Sequence, residues 1–182
     1  MNALVILADG CEETEAVTIV DVLRRGGIDV TTASLSGDTR VVGAHNVAIL
    51  ADAPFAPETA ADYDAVALPG GMRCMEALRS RAYVLAALRS AAAAGRIVAA
   101  VCASPAVLGA AGLLEDRRYC CYPGIEAQIA DGVYVPDAAA VSDGNIVTGA
   151  GPGTAAAFSL DLLEALAGRE TRDKVAAAML LA

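Results

Sequence analysis

The sequence predicts an α/β fold in three layers, with a mostly parallel central sheet and helices on both faces. Short, wholly apolar runs of the kind buried on both faces of a parallel sheet alternate along the chain with segments of helical period. The 56% hydrophobic content is carried by Ala, Val and Leu, with five Tyr, two Phe and no Trp, and small aliphatic side chains let helices pack closely on a sheet. A length of 182 residues fits one core, so residues 1–182 are expected to form one domain.

Taken in order, residues 3–7 read as a buried strand and residues 12–25 as a helix. In that helix Ala16, Ile19, Val20 and Leu23 recur at helical spacing, acidic residues crowd the first turn, and Arg24-Arg25 followed by Gly26-Gly27 mark the end. Residues 29–34 supply a second strand and close a βαβ unit. Ser36-Gly37-Asp38 and Gly43-Ala44-His45-Asn46 predict a hairpin-like excursion over residues 36–50, placed at an edge. Residues 64–68 form a buried strand that runs into Pro69-Gly70-Gly71, with a helix over about residues 82–94. The strongest strand signal, residues 96–101, ends at Cys102, and Ala103-Ser104-Pro105 opens a helix, where Pro suits the first turn. Two short strands around Asp143-Gly144 and a helix over about residues 153–167 complete the pattern.

Charge and hydropathy exclude several classes. The net charge of −9 is spread along the chain and no Lys/Arg cluster interleaves with aromatics, so nucleic-acid binding is not expected. The apolar start lacks a basic flank and is cut short by Asp9-Gly10, so it reads as a strand rather than a leader. Gly95, Arg96 and Pro105 interrupt the Ala-rich stretch at residues 91–114, which argues against a membrane span. Five cysteines without C-x-x-C spacing point to reduced thiols in a cytoplasmic protein.

Ligands of open parallel sheets bind beyond the carboxyl ends of the strands. Cys102, Gly70-Gly71 and the segment from Asp9 to Glu15 each follow a strand, and all three are expected on one rim. A sulfur at a helix start sees free N–H groups and a partial positive charge, which is expected to lower its pKa toward a thiolate. N–H groups near Gly70, Gly71 and Ala103 can hold a developing oxyanion. Of Glu12 and Glu15, one is expected to face solvent and the other the rim. A carboxyl beside the sulfur would have its pKa raised by burial and like charge, making Cys102 and Glu15 a cysteine and acid pair. Taken singly, Cys102 also reads as a buried small hydrophobe, and the glutamates as helix-dipole partners on a solvated turn.

Ala8-Asp9-Gly10-Cys11-Glu12-Glu13-Thr14-Glu15-Ala16, Leu68-Pro69-Gly70-Gly71-Met72, Val101-Cys102-Ala103-Ser104-Pro105 and Gly151-Pro152-Gly153-Thr154 follow one another in that order. Together they resemble the ThiJ/PfpI superfamily, in its branch of the parkinsonism-associated deglycase, over essentially the whole chain. The resemblance implies a flavodoxin-like sandwich with a nucleophile elbow, a homodimer, and neither metal nor cofactor. It implies Cys102 as the reactive, oxidisable nucleophile and Glu15 as its protonated partner. It also implies activity on small reactive carbonyls, with glyoxalase or deglycase chemistry; chaperone, peptidase and thiazole-biosynthesis labels accompany the family.

One position departs from the pattern. Many active members carry a His before the Pro that follows the elbow's next strand, and this chain has Tyr122-Pro123. A phenol can bond a substrate oxygen but is a poor general base at neutral pH, so a Cys-His dyad is excluded at that position. The resemblance places His45, the only histidine, where a dimer partner approaches the pocket, for an anion contact in trans; it reads equally as a solvated loop residue. Cys11 is a candidate resolving thiol for oxidised Cys102, and Cys74, Cys120 and Cys121 offer less. The preferred reading is a cysteine-dependent carbonyl enzyme. A redox sensor or stress-protective protein using Cys102 oxidation is the rival, and a member without carbonyl activity is the third.

Overall fold

The computed structural model describes residues 1–181. The chain opens with β1 (Asn2–Leu7), α1 (Glu13–Arg25) and β2 (Asp29–Ser34), followed by three short strands, β3 (Arg40–Val42), β4 (Ala48–Leu50) and β5 (Ala53–Pro54). Next come β6 (Ala65–Leu68), α2 (Met72–Arg79), α3 (Ala82–Ala93), β7 (Ile97–Val101) and α4 (Pro105–Ala110). The remainder forms β8 (Arg118–Tyr119), β9 (Val133–Tyr134), β10 (Ala140–Asp143), β11 (Ile146–Gly149), α5 (Ala155–Ala167) and α6 (Arg169–Ala178).

Seven strands make the central sheet, in the order β10-β11-β7-β6-β1-β2-β5. Every pair is parallel except β10 with β11. The inner strands β6 and β7 are almost wholly buried, as their unbroken apolar runs require. Helices α1 and α5 pack together on one face, with α6 on α5, while α2, α3 and α4 cover the other. Buried Ala16, Ile19, Val22 and Leu23 give α1 its inner stripe. Phe158 of α5 is fully buried, a burial worth roughly 1.5–3 kcal/mol for a side chain of this size. Among the described residues no helix is long and apolar enough to cross a membrane.

The chain passes from β1 to β2 on one side and later returns to β6 on the other, so the strand order reverses at β1. At such a point the connections after adjacent strands diverge and leave a crevice at their carboxyl ends. The Glu12 N–H reaches across it to the Gly70 carbonyl at 3.0 Å.

Two helices escape the sequence reading. Helix α2 starts directly after the Gly70-Gly71 turn, whose glycines mask a helix start, and α6 follows Gly168 with a strongly charged sequence that lacks a broad apolar stripe. The excursion over residues 36–50 does form a hairpin, β3 with β4, but it stands apart from the central sheet, whose edge there is β5. Its turn bends over the start of α1 instead. The Gly10 N–H bonds Val42 O at 2.7 Å and the Ala44 N–H bonds Cys11 O at 2.8 Å, which satisfies backbone groups of both loops.

Candidate active site

Cys102 directly follows β7 in a left-handed conformation, φ 62°. For a residue with a side chain this costs on the order of 1–3 kcal/mol and persists only where the surroundings enforce it. Here the Cys102 N–H continues the sheet to Gly149 O at 2.9 Å, and the Tyr122 N–H bonds the Cys102 carbonyl at 2.9 Å. Just beyond Cys102 and Ala103, the fully buried Ser104 donates its hydroxyl to Pro69 O at 2.6 Å. Ser104 thereby clamps the elbow to the loop after β6, a role that its place before the helix-starting Pro105 does not reveal.

Glu15 lies in the first turn of α1 and is completely buried. Its Oε2 accepts the Gly70 N–H at 2.7 Å. Its Oε1 is buried without an aligned hydrogen-bond partner, which favours the protonated acid, and the Cys102 thiol stands beside the carboxyl. Burial pushes the Glu15 pKa up to about 7 and the Glu12 charge adds to this, against the pull of the Gly70 N–H and the Cys102 thiol.

The Cys102 thiol does not follow the expectation of a lowered pKa. Burial, and then the neighbouring Glu15 charge, push it up to about 12, and the N–H groups of Gly71 and Ala103 directed at the sulfur recover only part of this. Desolvation outweighs the helix terminus because the elbow tucks the sulfur into the crevice. The free thiol is therefore the resting form.

Gly70 also differs from its expected part. Its N–H is taken by Glu15, so it holds the acid rather than an oxyanion, and the donors left facing the sulfur are Gly71 and Ala103. A Cβ on Gly70 would come within 2.5 Å of Cys102 Cβ and 2.6 Å of Glu15 Oε2. Gly71 has φ 94°, and a Cβ there would strike the Gly10 carbonyl.

A cavity of about 550 Å³ opens over the sulfur, lined by Glu12, His45, Gly71, Arg73, Cys102 and Tyr122 among others. The rim residues after β1, β6 and β7 thus do meet at one place. Glu12 is half-buried and lines this cavity while its Oε1 caps the Thr14 N–H, so it does not simply face solvent. Tyr122 is 50% exposed, at the cavity mouth.

His45 lines the cavity of its own chain. Its Nδ1 lies 3.0 Å from Glu13 Oε2, and its N–H bonds Glu13 Oε1 at 2.7 Å. Burial works against the Glu13 charge, but the N–H groups of Glu13, His45 and Val47 and the His45 ring outweigh it and hold the pKa down at about 2. The Glu13 hydrogen bond and the charges of Glu12 and Glu13 raise the His45 pKa above its ordinary value. Glu12, Glu13 and His45 bring ligand atoms within 4.8 Å of one another, a spacing that suits a cation as well as the hydrogen bonds they make.

All five cysteines are free. Cys11 is fully buried and its thiol is pushed up to about 12 by burial, which makes it a poor resolving thiol as placed. Sequence reasoning missed Ser104, Glu13 and Arg73; in Glu12-Glu13-Thr14-Glu15 only the fold tells the three carboxylates apart.

A doubly wound α/β domain with a strained cysteine elbow over a buried carboxylic acid defines a class of cysteine-centred proteins. The chain belongs to the DJ-1/PfpI family, whose model matches residues 1–165. It is 41% identical over 182 residues to protein dj-1beta of Drosophila melanogaster, covering 100% of this chain and 97% of that one. The crystal structure of the same fly protein superposes with a TM-score of 0.94 at 42% identity, covering 100% and 98% of the two chains. The chain is 31% identical to the glutathione-independent glyoxalase DJR-1.2 of Caenorhabditis elegans, covering 100% and 97%. Toxoplasma gondii DJ-1, solved in an oxidised form, gives a TM-score of 0.89 at 36% identity, covering 100% and 98%.

Proposed function

We propose that this protein converts small α-oxoaldehydes such as methylglyoxal into α-hydroxy acids without a cofactor, with Cys102 as nucleophile and Glu15 as proton carrier. The observation that carries the reading is the buried Glu15 carboxyl, with its pKa near 7, against the Cys102 thiol. The glyoxalase name of the nematode relative supports it.

The chemistry balances with water alone. With Glu15 in the ionised form that a pKa of about 7 keeps populated near neutral pH, sulfur adds to the aldehyde carbon as the thiol proton passes through Glu15 to the carbonyl oxygen, giving a neutral hemithioacetal and a Glu15 carboxylate once more; the Gly71 and Ala103 N–H groups stabilise the charge that develops beside the sulfur. Glu15 then moves a proton from the former aldehyde carbon to the ketone carbon through an enediol, leaving a thioester. Water cleaves the thioester, releasing the hydroxy acid and the thiol. The aldehyde carbon is oxidised and the ketone carbon reduced, so no external redox partner is needed. The test is lactate formation from methylglyoxal: the wild type turns over and Cys102→Ala does not, and equal, negligible rates for both would overturn the reading.

A second reading, a sensor that stores oxidation at Cys102, is favoured by the two N–H groups aimed at the sulfur and by the oxidised form of the Toxoplasma relative. Mild peroxide followed by mass spectrometry decides it. Selective gain of two oxygens at Cys102, with no carbonyl turnover, establishes the sensor in place of the enzyme.

The homodimer implied by the family fits an apolar patch that brings exposed Val17 of α1 together with Ile49 and exposed Leu50 of the hairpin. Leu50→Asp is expected to shift the protein to monomer in sedimentation, and an unchanged mass would remove this surface from the interface.

A further inference from the structure

The Cys102 cavity does not end at the sulfur. A second cavity of about 250 Å³, lined by Asp9, Ser36, Arg73 and Arg81 among others, shares the Arg73 side chain with it as a common wall. Among the described residues no carboxylate forms an ion pair with Arg73 or Arg81, nor with Arg40, Arg79, Arg89 or Arg118, whereas Arg24, Arg25, Arg96 and Arg117 are each held by an aspartate; of the unpaired arginines only Arg73 lines the Cys102 cavity, and Arg81 lines the cavity next to it. The Cys102 cavity is also lined by Glu12 and His45, and with Glu13 bound to the same imidazole this group stays net negative even with His45 protonated. The two neighbouring cavities thus carry a negative group around His45 in the first and the Arg73 and Arg81 guanidinium groups in the second, where Asp9 is the one lining carboxylate.

An exposed arginine in an acidic chain of net charge −9 has many potential partners. Two left unpaired along one groove present ten guanidinium N–H donors, with fork geometry matched to a carboxylate or phosphate. Screening confines such attraction to about 8 Å at physiological ionic strength, so the overall negative charge does not cancel it locally.

We propose that Arg73, with Arg81 beyond it, forms an anion subsite next to Cys102 that accepts reactive carbonyl compounds carrying a carboxylate or phosphate at the end remote from the aldehyde. As a statement about substrate class it rests on the carbonyl reading above; as a statement about the site it does not. A carboxylate-tailed α-oxoaldehyde such as γ,δ-dioxovalerate would place its aldehyde at Cys102 and its carboxylate at Arg73. Water addition then gives α-hydroxyglutarate, with the same internal oxidation and reduction as before.

The test uses two matched pairs of reagents on the intact protein. Alkylation of Cys102 by anionic iodoacetate and by neutral iodoacetamide, followed by mass spectrometry, gives a rate ratio that corrects for thiol reactivity. Turnover of γ,δ-dioxovalerate and of methylglyoxal gives a second ratio. Arg73→Gln is expected to lower both by about fivefold, the effect of one lost exposed charge contact, and Arg81→Gln to lower the second ratio less. Arg73→Lys should restore most of the loss, and high salt should shrink the wild-type ratios. An alkylation ratio indifferent to Arg73→Gln overturns the subsite. A ratio that responds while neither oxoaldehyde is consumed upholds the subsite and removes the carbonyl enzyme, so the two failures are distinct.

Discussion

The Gly70 N–H donates to Glu15 Oε2 across 2.7 Å and so ties the loop after β6 to the first turn of α1, on the two sides of the crevice where the sheet reverses its order. The bond takes one lone pair of the carboxyl and leaves Oε1 without a protein partner, in a space that water does not reach. A carboxyl so placed keeps its proton to an unusually high pH.

Stability should therefore depend on pH through Glu15. Its folded pKa of about 7 lies above the ordinary value of 4.5, so the folded state binds the proton more tightly than the unfolded chain. This contribution is fully present below about pH 4.5 and is lost as pH rises through about 7, amounting to about 3 kcal/mol over that window. Urea unfolding at a series of pH values should show this decline in the wild type, and Glu15→Gln should flatten it. An unchanged slope in the variant would place the Glu15 pKa in the ordinary range.

Glu15→Gln should also separate proton transfer from packing. The amide keeps the shape and can still accept the Gly70 N–H, but it cannot take the thiol proton. Oxoaldehyde turnover is expected to fall on the order of a hundredfold or more, as when a general base is removed. If kcat holds, Glu15 is structural.

Gly70→Ala puts a methyl group 2.5 Å from Cys102 Cβ. Overpacking of this kind costs about 1–3 kcal/mol, and the loop cannot relax without releasing Glu15 Oε2. The variant should lose stability in chemical denaturation and Cys102 reactivity together, and a fully active, equally stable protein would contradict the crowding at this position.

Ser104→Ala removes the hydroxyl that bonds Pro69 O inside the protein. A buried acceptor left unpaired costs about 1–3 kcal/mol. Because the bond ties the elbow to the Gly70 loop, alkylation of Cys102 should change severalfold together with the loss of stability, and a Ser104→Ala protein equal to the wild type in both would remove this clamp.

His45 offers a direct reading of its surroundings, being the only histidine. Its proton NMR titration should give a pKa above the ordinary 6.5, and Glu13→Gln should bring that value down. A titration that ignores the Glu13 substitution would mean that the hairpin turn does not dock on α1 as placed.

The alternation of apolar runs with helical periods was enough to read the α/β class, and most of the strands and helices followed from it. Cys102 was legible for a local reason: it stands where a buried strand meets a helix-opening Pro105, and such junctions lie on the functional edge of a parallel sheet. Helices α2 and α6 were not, because one hides behind glycines and the other lacks a strong apolar stripe.

By itself the sequence determined which residue types stand after which strands, and so that Cys102, Gly70, Gly71 and Glu15 share one rim. Only the tertiary structure decided what each does there. Three glutamates within four positions become a cap on the cavity wall at Glu12, a clamp on the hairpin at Glu13 and a buried acid at Glu15. Gly70 turns out to hold that acid rather than an oxyanion, and the thiol expected to ionise at a helix start stays protonated in a desolvated crevice. The physical reason is common to all of them: spacing along a chain sets direction, but pKa and hydrogen-bond partners depend on burial and on segments as distant in sequence as Glu15, Gly70 and Cys102.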